Sequence, residues 1–346
     1  MITKKGLQRL GILLLAVLTA MLAGAVIILL SGANPLTAYY SMLVKPMTSL
    51  GNIGGVFIHF IPLLLIGIGV SFTFHAKLNN LGGQGQMLMG ALGMTLIGIP
   101  PIGEALGAFS LPVGFLVAMI FGAIWAAIAG FMKTRFGASE IVVTLMLNYI
   151  AVQAINYILF YHLRTDGEIR SPRIVKMLPK LFEGTRITWG VVIALVLLVV
   201  YAIVMAKTKF GFNLRTVGGS IKAAKYSGIN TKLYYFLSMA ISGAFCGIAG
   251  AAQISGNTRR LTESTAGDYG FSGIVVAMLG SLHPVGLVIA SFLMALLTSG
   301  SSMMQTDTGI PESFTQVLQA LIVLFILMGM AISDGKVKRR KGGKEK

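Results

Sequence analysis

Residues 53–74 read IGGVFIHFIPLLLIGIGVSFTF, an apolar run that no Asp, Glu, Lys or Arg interrupts. A helix needs about 20 residues to cross a hydrocarbon core of roughly 30 Å, so the run is long enough for one complete pass. Its apolar positions are consecutive rather than alternating, which points to a helix and not to a strand of a barrel.

Outward from this run the same signal recurs. Further spans are expected over Leu10–Leu30, Gln86–Ile99, Leu111–Met132, Glu140–Phe160, Thr188–Ala206, Leu233–Ile254 and Phe314–Ser333, with a broken pair between Tyr269 and Gly300. Proline in the turn near His283 and Pro284 is compatible with two half-helices that enter and return. The expected fold class is therefore an all-α polytopic membrane protein of about ten transmembrane segments, including a broken or re-entrant pair. Composition agrees: the 346 residues are 55% hydrophobic and only 11% charged, too few polar side chains to surface a soluble domain of this length.

Basic residues set the orientation. Lys4, Lys5 and Arg9, then His75 and Lys77, then Lys133 and Arg135, then 207–232 and 336–346 fall on one side of the alternation. Cytoplasmic loops collect Lys and Arg, so both termini are expected in the cytoplasm. The loop 161–187 then lies outside despite Arg164, Arg170, Arg173, Lys176, Lys180 and Arg186; Asp166, Glu168 and Glu183 are interspersed, and longer loops follow the rule less strictly. The net charge of +17 is explained by topology and anionic lipid, and no soluble domain is present to carry nucleic acid. The basic N-terminus before an apolar run also resembles a secretion signal with Ser31 and Ala33 near a cleavage point, but the run is about twice a usual signal core and is read as a retained first span. Cys246 is the single cysteine, which leaves no disulfide framework.

Several chemistries lack their residues. No Walker A pattern occurs, and Leu81-Gly82-Gly83-Gln84 matches part of an ATPase signature without the domain that would give it meaning. His59, His75, His162 and His283 are scattered, with no paired spacing for zinc and no carboxylate cluster for magnesium. Only His59, Glu140 and His283 could serve an ion-coupled site inside the spans. The energy source is expected in another subunit, with a self-sufficient secondary transporter and a membrane enzyme as the alternatives.

Three segments place amides and glycines in apolar surroundings. In Asn79–Gln86 the glycines allow tight turns, and Asn80, Gln84 and Gln86 can hydrogen-bond a hydroxylated solute; the alternative is a plain turn between spans. In Ser139–Tyr149, Glu140, Thr144 and Asn148 recur every four residues on one helix face, which must meet protein or a water-filled path; bonds that merely hold the bundle are the alternative for Asn148. The third, Gly267–Ile274 followed by Ala277–Gly286, would bring two short helices together inside the membrane. Gly243 and Gly247 have the spacing that allows close helix packing.

Between two long runs lies KTKFGFNLRTVGGSIKAAKYSGINTK, Lys207–Lys232. It predicts a short basic helix that starts at Ser220 and stops at Gly228. Ala223 and Ala224 keep one side small enough to enter a partner's groove, Tyr226 adds an apolar surface with a polar tip, and Arg215, Lys222 and Lys225 could pair with acidic groups. An amphipathic loop resting on anionic lipid is the alternative.

The segments Asn80–Gln86, Ser139–Ala151 (SEIVVTLMLNYIA), Gly211–Ile229 (GFNLRTVGGSIKAAKYSGI) and Tyr269–Gly286 together resemble the permease subunits of bacterial ABC importers for nucleosides and simple sugars, the group served by basic membrane lipoproteins. The resemblance implies a permease domain over 1–335 with a basic tail at 336–346, in a bacterial plasma membrane. It also implies a second permease subunit, a separate ABC ATPase that binds ATP and magnesium, and an extracytoplasmic solute-binding lipoprotein; this chain itself holds no cofactor or metal. Residues 207–232 become the cytoplasmic coupling loop, with Arg215, Gly218, Ser220, Ala223, Ala224, Tyr226 and Gly228 as docking residues. Where this chain has Gln84 the family often has glutamate. Ser139–Ala151 is closer to the nucleoside branch than to the sugar branch. On this reading Asn148→Leu and Gln86→Leu reduce transport without lowering membrane levels, and replacing Ala223 and Ala224 together by tryptophan uncouples ATP hydrolysis from uptake.

Overall fold

The structure is a computed structural model that describes residues 18–19, 21–30, 32–165 and 167–310, with isolated positions between 316 and 328. Most of the first and last expected spans, Lys4, Lys5, Arg9, Asp166 and the tail 336–346 lie outside the described residues.

Every regular element among the described residues is helical, with no strand and only isolated bridges Thr165↔Glu168 and Lys180↔Thr188. Its helices are α1 (Met21–Leu30), α2 (Pro35–Tyr39), α3 (Leu50–His75), α4 (Gly83–Gly98), α5 (Ile102–Leu106), α6 (Ser110–Phe136) and α7 (Glu140–Tyr161). After a long loop come α8 (Gly190–Lys207), α9 (Lys209–Gly219), α10 (Ile221–Tyr226), α11 (Thr231–Gln253), α12 (Tyr269–Leu279) and α13 (Pro284–Thr308). Among the described residues six helical segments are long and apolar enough to cross a membrane: Leu50–His75, Ile102–Phe136, Glu140–Tyr161, Gly190–Lys207, Thr231–Thr258 and Pro284–Thr308.

The chain separates into two compact units, Gly54–Ala295 and Met1–Ile53 with Leu296–Lys346. In the larger unit the centre is α11, packed against α6 and α4. Small residues recur every four positions along α6, at Gly114, Ala118, Gly122, Ala126 and Gly130, and all are buried. Gly114 meets Met94 of α4, while Ala118 to Gly130 form a ridge that admits the backbone of α11, where Gly243 and Gly247 answer them: a Cβ on Gly247 would collide with the Ala118 carbonyl and lie 3.3 Å from the Gly122 Cα. Gly90 of α4 meets Gly247 in the same way. Lipid is as apolar as the helices, so close packing of this kind, rather than expulsion from water, holds such helices together. Gly243 and Gly247 thus have the packing role that their spacing suggested.

The broken pair is resolved as one short helix and one long one. α12 ends at a turn through Ser281 and Leu282, both with positive φ (50° and 60°), and α13 then runs on through Thr308 as a full-length span rather than a half-helix. The 162–189 loop laces over helix ends through backbone bonds: Val175 N–H to the Gly98 carbonyl (2.8 Å), Ile174 N–H to Arg259 (3.0 Å) and Leu178 N–H to Ser255 (3.0 Å). In the smaller unit, Gly300 lets α13 approach the Met42 backbone, and Asp307 accepts from Lys45 Nζ (2.5 Å) and Ser41 Oγ (2.6 Å).

Candidate functional site

The polar segment after α3 folds back as an extended stretch before α4 begins at Gly83. Four of the six expected path residues meet there in one buried network. The Asn80 and Gln86 side chains form a reciprocal amide pair, each Nδ2 or Nε2 donating to the other's oxygen at 3.0 Å. Asn80 Nδ2 also donates to Ser242 Oγ (2.9 Å), and its Oδ1 accepts from the Gly82 N–H (2.9 Å), so every polar position of that amide is used. Asn148 Oδ1 accepts from the Gly85 N–H (2.9 Å) while its Nδ2 donates to the Leu81 carbonyl (2.8 Å). Thr144 Oγ1 accepts from the Leu81 N–H (3.3 Å) and donates to the Glu140 carbonyl (2.7 Å). These groups pair the Leu81 and Gly82 N–H groups that lead into α4 and the Gly85 N–H of its first turn, which a helix leaves without an intrahelical partner.

Glu140 stands apart at the start of α7, 2.8 Å from Lys133 Nζ at the end of α6. His59 Nδ1 is 2.6 Å from the Tyr269 hydroxyl, so this lone histidine has a partner.

Gln84 differs from its neighbours. Two residues before Gln86, it points to another face of α4; it is half-buried, and among the described residues its side-chain amide has no hydrogen-bond partner. It lines a cavity of about 460 Å³ together with Val152, Ile169, Thr262, Glu263, Ser264, Gly267 and Asp268. The N-termini of α4 and α12 meet beside it: a Cβ on Gly83 would lie 3.2 Å from the Gly270 Cα, and one on Gly270 would collide with the Gln84 backbone. Two interrupted helices that converge within a bundle are a recurrent way to build a solute site, and the volume is in the range of small-molecule pockets. Sequence reasoning passed over Thr262, Glu263 and Ser264. Their signal is a polar run, Thr262–Thr265, close after an apolar span.

The segment 207–232 forms two helices rather than one. Thr208 caps α9 by accepting from the Gly211 N–H (3.2 Å), and Ser220 caps α10 by accepting from the Ala223 N–H (3.3 Å). Gly228, at φ +73°, follows α10 where a left-handed residue is needed to turn the chain. Gly211 and Gly218 share a face of α9, where side chains would collide with Val204 and Met205 of α8 and with the His75 carbonyl of α3. Arg215 donates to the Met205 carbonyl, and Asn213 Nδ2 donates to the Tyr234 hydroxyl of α11 (2.7 Å). From the α3 end the contacts continue: His75 Nε2 is 3.2 Å from the Tyr201 hydroxyl, which donates to the Leu282 carbonyl in the α12–α13 turn (2.7 Å). The alanines divide, because Ala224 is fully buried while Ala223 is exposed beside Lys222 and Lys225. Tyr226 is 93% exposed. The outward surface of α10 is therefore Ile221, Lys222, Ala223, Lys225 and Tyr226 on a firmly seated base.

Residues 52–327 match the family described as branched-chain amino acid transport system / permease component. Over 345 residues the chain is 32% identical to the guanosine ABC transporter permease protein NupP of Bacillus subtilis, covering 97% of this chain and 99% of the relative. The glucose ABC transporter permease protein TsgB13 of Haloferax volcanii is 29% identical, covering 92% of this chain and 87% of the relative. The nucleoside ABC transporter permease protein NupB of Lactococcus lactis is 28% identical, covering 96% and 97%. A bundle of apolar spans, a polar-lined cavity at the N-termini of two short helices and, decisively, this kinship over almost the whole length lead to one conclusion: the chain belongs to the branched-chain amino acid transport system / permease component family, as a membrane transport subunit and not an enzyme.

Proposed function

We propose that this chain is the permease subunit of an ATP-driven importer that carries a nucleoside into the cytoplasm. The observation that carries the substrate reading is the amide of Gln84, unpaired by protein among the described residues and facing the cavity with Glu263, Ser264 and Asp268. Carboxylates and hydroxyls accept from sugar hydroxyls and base N–H groups, and an amide offers both a donor and an acceptor. Similarity to permeases named for guanosine and nucleosides supports the same reading, while the glucose permease keeps a simple sugar as the second one.

In this proposal the protein sits in the bacterial plasma membrane with both termini and 207–232 inside, 161–187 outside, and about ten membrane segments: the six long ones, those that include α1, α4 and α12, and the expected span Phe314–Ser333, most of which lies outside the described residues. A second permease completes the path, a solute-binding lipoprotein delivers from outside, and an ATPase that binds ATP and magnesium docks on α10. Asn80, Gln86, Thr144 and Asn148 contribute to the path by holding Gln84 in place, and Glu140 by fixing α7 to α6.

Gln84→Leu should raise the KM for nucleoside uptake roughly ten-fold, the loss of one good hydrogen bond, with membrane levels unchanged. Competition with a panel of nucleosides, glucose and leucine in membrane vesicles tests both the residue and the class; inhibition by glucose alone would move the assignment to the sugar reading. For the docking surface, Ala223→Trp alone should leave membrane level and nucleoside binding intact while ATP hydrolysis no longer drives uptake. Normal coupling in that variant would remove α10 from the ATPase contact. The paired replacement is less telling, since a tryptophan at buried Ala224 would disturb the base as well.

A further inference from the structure

Three helices of the larger unit have an exposed face long enough to be compared. On α8 that face is Leu195, Val196, Val199, Val200 and Ile203, and on α6 it is Leu116, Ile120, Ile124, Ile128 and Phe131, which suits contact with lipid. On α7 it is apolar at Val142, Met146, Ile150 and Phe160 but also carries Tyr149 (69% exposed), Tyr157 (59% exposed) and the exposed amide of Gln153. Gln153 lies within about 4 Å of the midpoint of this span at 1.5 Å per residue. An amide at that depth does not face hydrocarbon; it faces protein or a water-filled path.

The same helix reaches the cavity, because Val152 is part of its lining. At about 100° per residue, Tyr149 and Asn156 fall within about 60° of Val152 around the helix and Gln153 lies about 100° away, so the polar stripe continues the cavity wall. Asn156 is half-buried at the boundary. A tyrosine ring gives a flat face for stacking, and a nearby amide can pair with the polar edge of the stacked group.

We propose that α7 supplies the base-recognition wall of this subunit, with Tyr149 stacking on the nucleobase and Gln153 pairing with its edge; this rests on the nucleoside reading and deepens it. Glu263, Ser264 and Asp268 across the cavity then face the sugar hydroxyls. The wall selects planar heterocycles over free sugars.

The test uses the assembled transporter in vesicles. Cys246 is fully buried, so single cysteines can be read in a Cys246→Ser background. Tyr149→Cys and Gln153→Cys should react with a hydrophilic methanethiosulfonate at least ten-fold faster than Val199→Cys, and saturating guanosine should slow both several-fold while ribose does not. Tyr149→Phe should keep the parent KM for guanosine, and Tyr149→Leu should raise it roughly ten-fold, as expected for one lost stacking contact. If the parent carries guanosine but positions 149 and 153 label no faster than 199, or label without protection, the wall is overturned and α7 faces lipid or the second permease. A parent that carries no nucleoside would overturn the nucleoside reading itself, and the base-stacking role with it.

Discussion

Gly247→Leu is expected to remove the folded permease from the membrane. A side chain at this position meets the Ala118 carbonyl and Gly122 on α6, while Gly90 of α4 closes on the same residue from another side. Both obstacles include backbone, so no rotamer change relieves them, and α11 has to move away from two partners at once. Extra methylenes in a packed interior cost about 1–3 kcal/mol even where side chains can yield; here several carbons meet groups that cannot. Membrane level by blotting and fluorescence-detected size exclusion in mild detergent read the outcome. Gly219→Leu is the control, since nothing lies within 4 Å of a Cβ there, and it should leave membrane level near the parent value. A stable, monodisperse Gly247→Leu protein would mean that the α4–α6–α11 packing is not what holds the bundle.

Asn148→Leu is expected to act on stability before it acts on transport. The substitution strands the buried Gly85 N–H and the part-buried Leu81 carbonyl, both now paired to Asn148. Each buried group left unpaired costs about 1–3 kcal/mol, so the expected loss is about 2–6 kcal/mol, visible as a fall in thermal stability in detergent and several-fold lower membrane levels. The surviving protein should keep the parent KM. Asn148→Asp retains an acceptor for Gly85 and should lose less. A raised KM at normal membrane level would instead point to direct solute contact, the other role that the residue pattern allows.

The sequence left both roles open for Asn148, a wall of the path or a bond that holds the bundle, because its partners lie far away in the chain. Glu140, Thr144 and Asn148 are legible as a polar stripe because their spacing is local, yet the partners of Thr144 and Asn148 sit more than sixty residues earlier, in Leu81 and Gly85. Gln84 and Gln86 look alike in the sequence, and only the helix phase of α4 sends one to the cavity and the other to Asn80. The ends of α10 were readable from Ser220 and Gly228, because caps are local chemistry. The burial of Ala224 was not, since it depends on what α10 rests against. The four-residue ladder from Ala118 to Gly130 was present in the sequence as the signature of the α6–α11 contact, overshadowed by the length of the apolar run. Likewise the turn before Pro284 was visible as a break, but the length of α13 after it was not.

On the proposed function, this chain forms a solute path and takes its energy from a separate ATPase through α9 and α10. α9 lies on the ends of α3, α8 and α11, and the His75–Tyr201–Leu282 contacts join that end to the turn between α12 and α13. α12 begins at the cavity where Gln84 lies. The most direct measurement is nucleoside uptake into proteoliposomes holding the chain with its partner subunits, compared with proteoliposomes holding the chain alone under a proton or sodium gradient. Uptake that requires the ATPase and hydrolysable ATP, and is lost in Ala223→Trp, is the predicted result; gradient-driven uptake by the chain alone, without ATP, would contradict it.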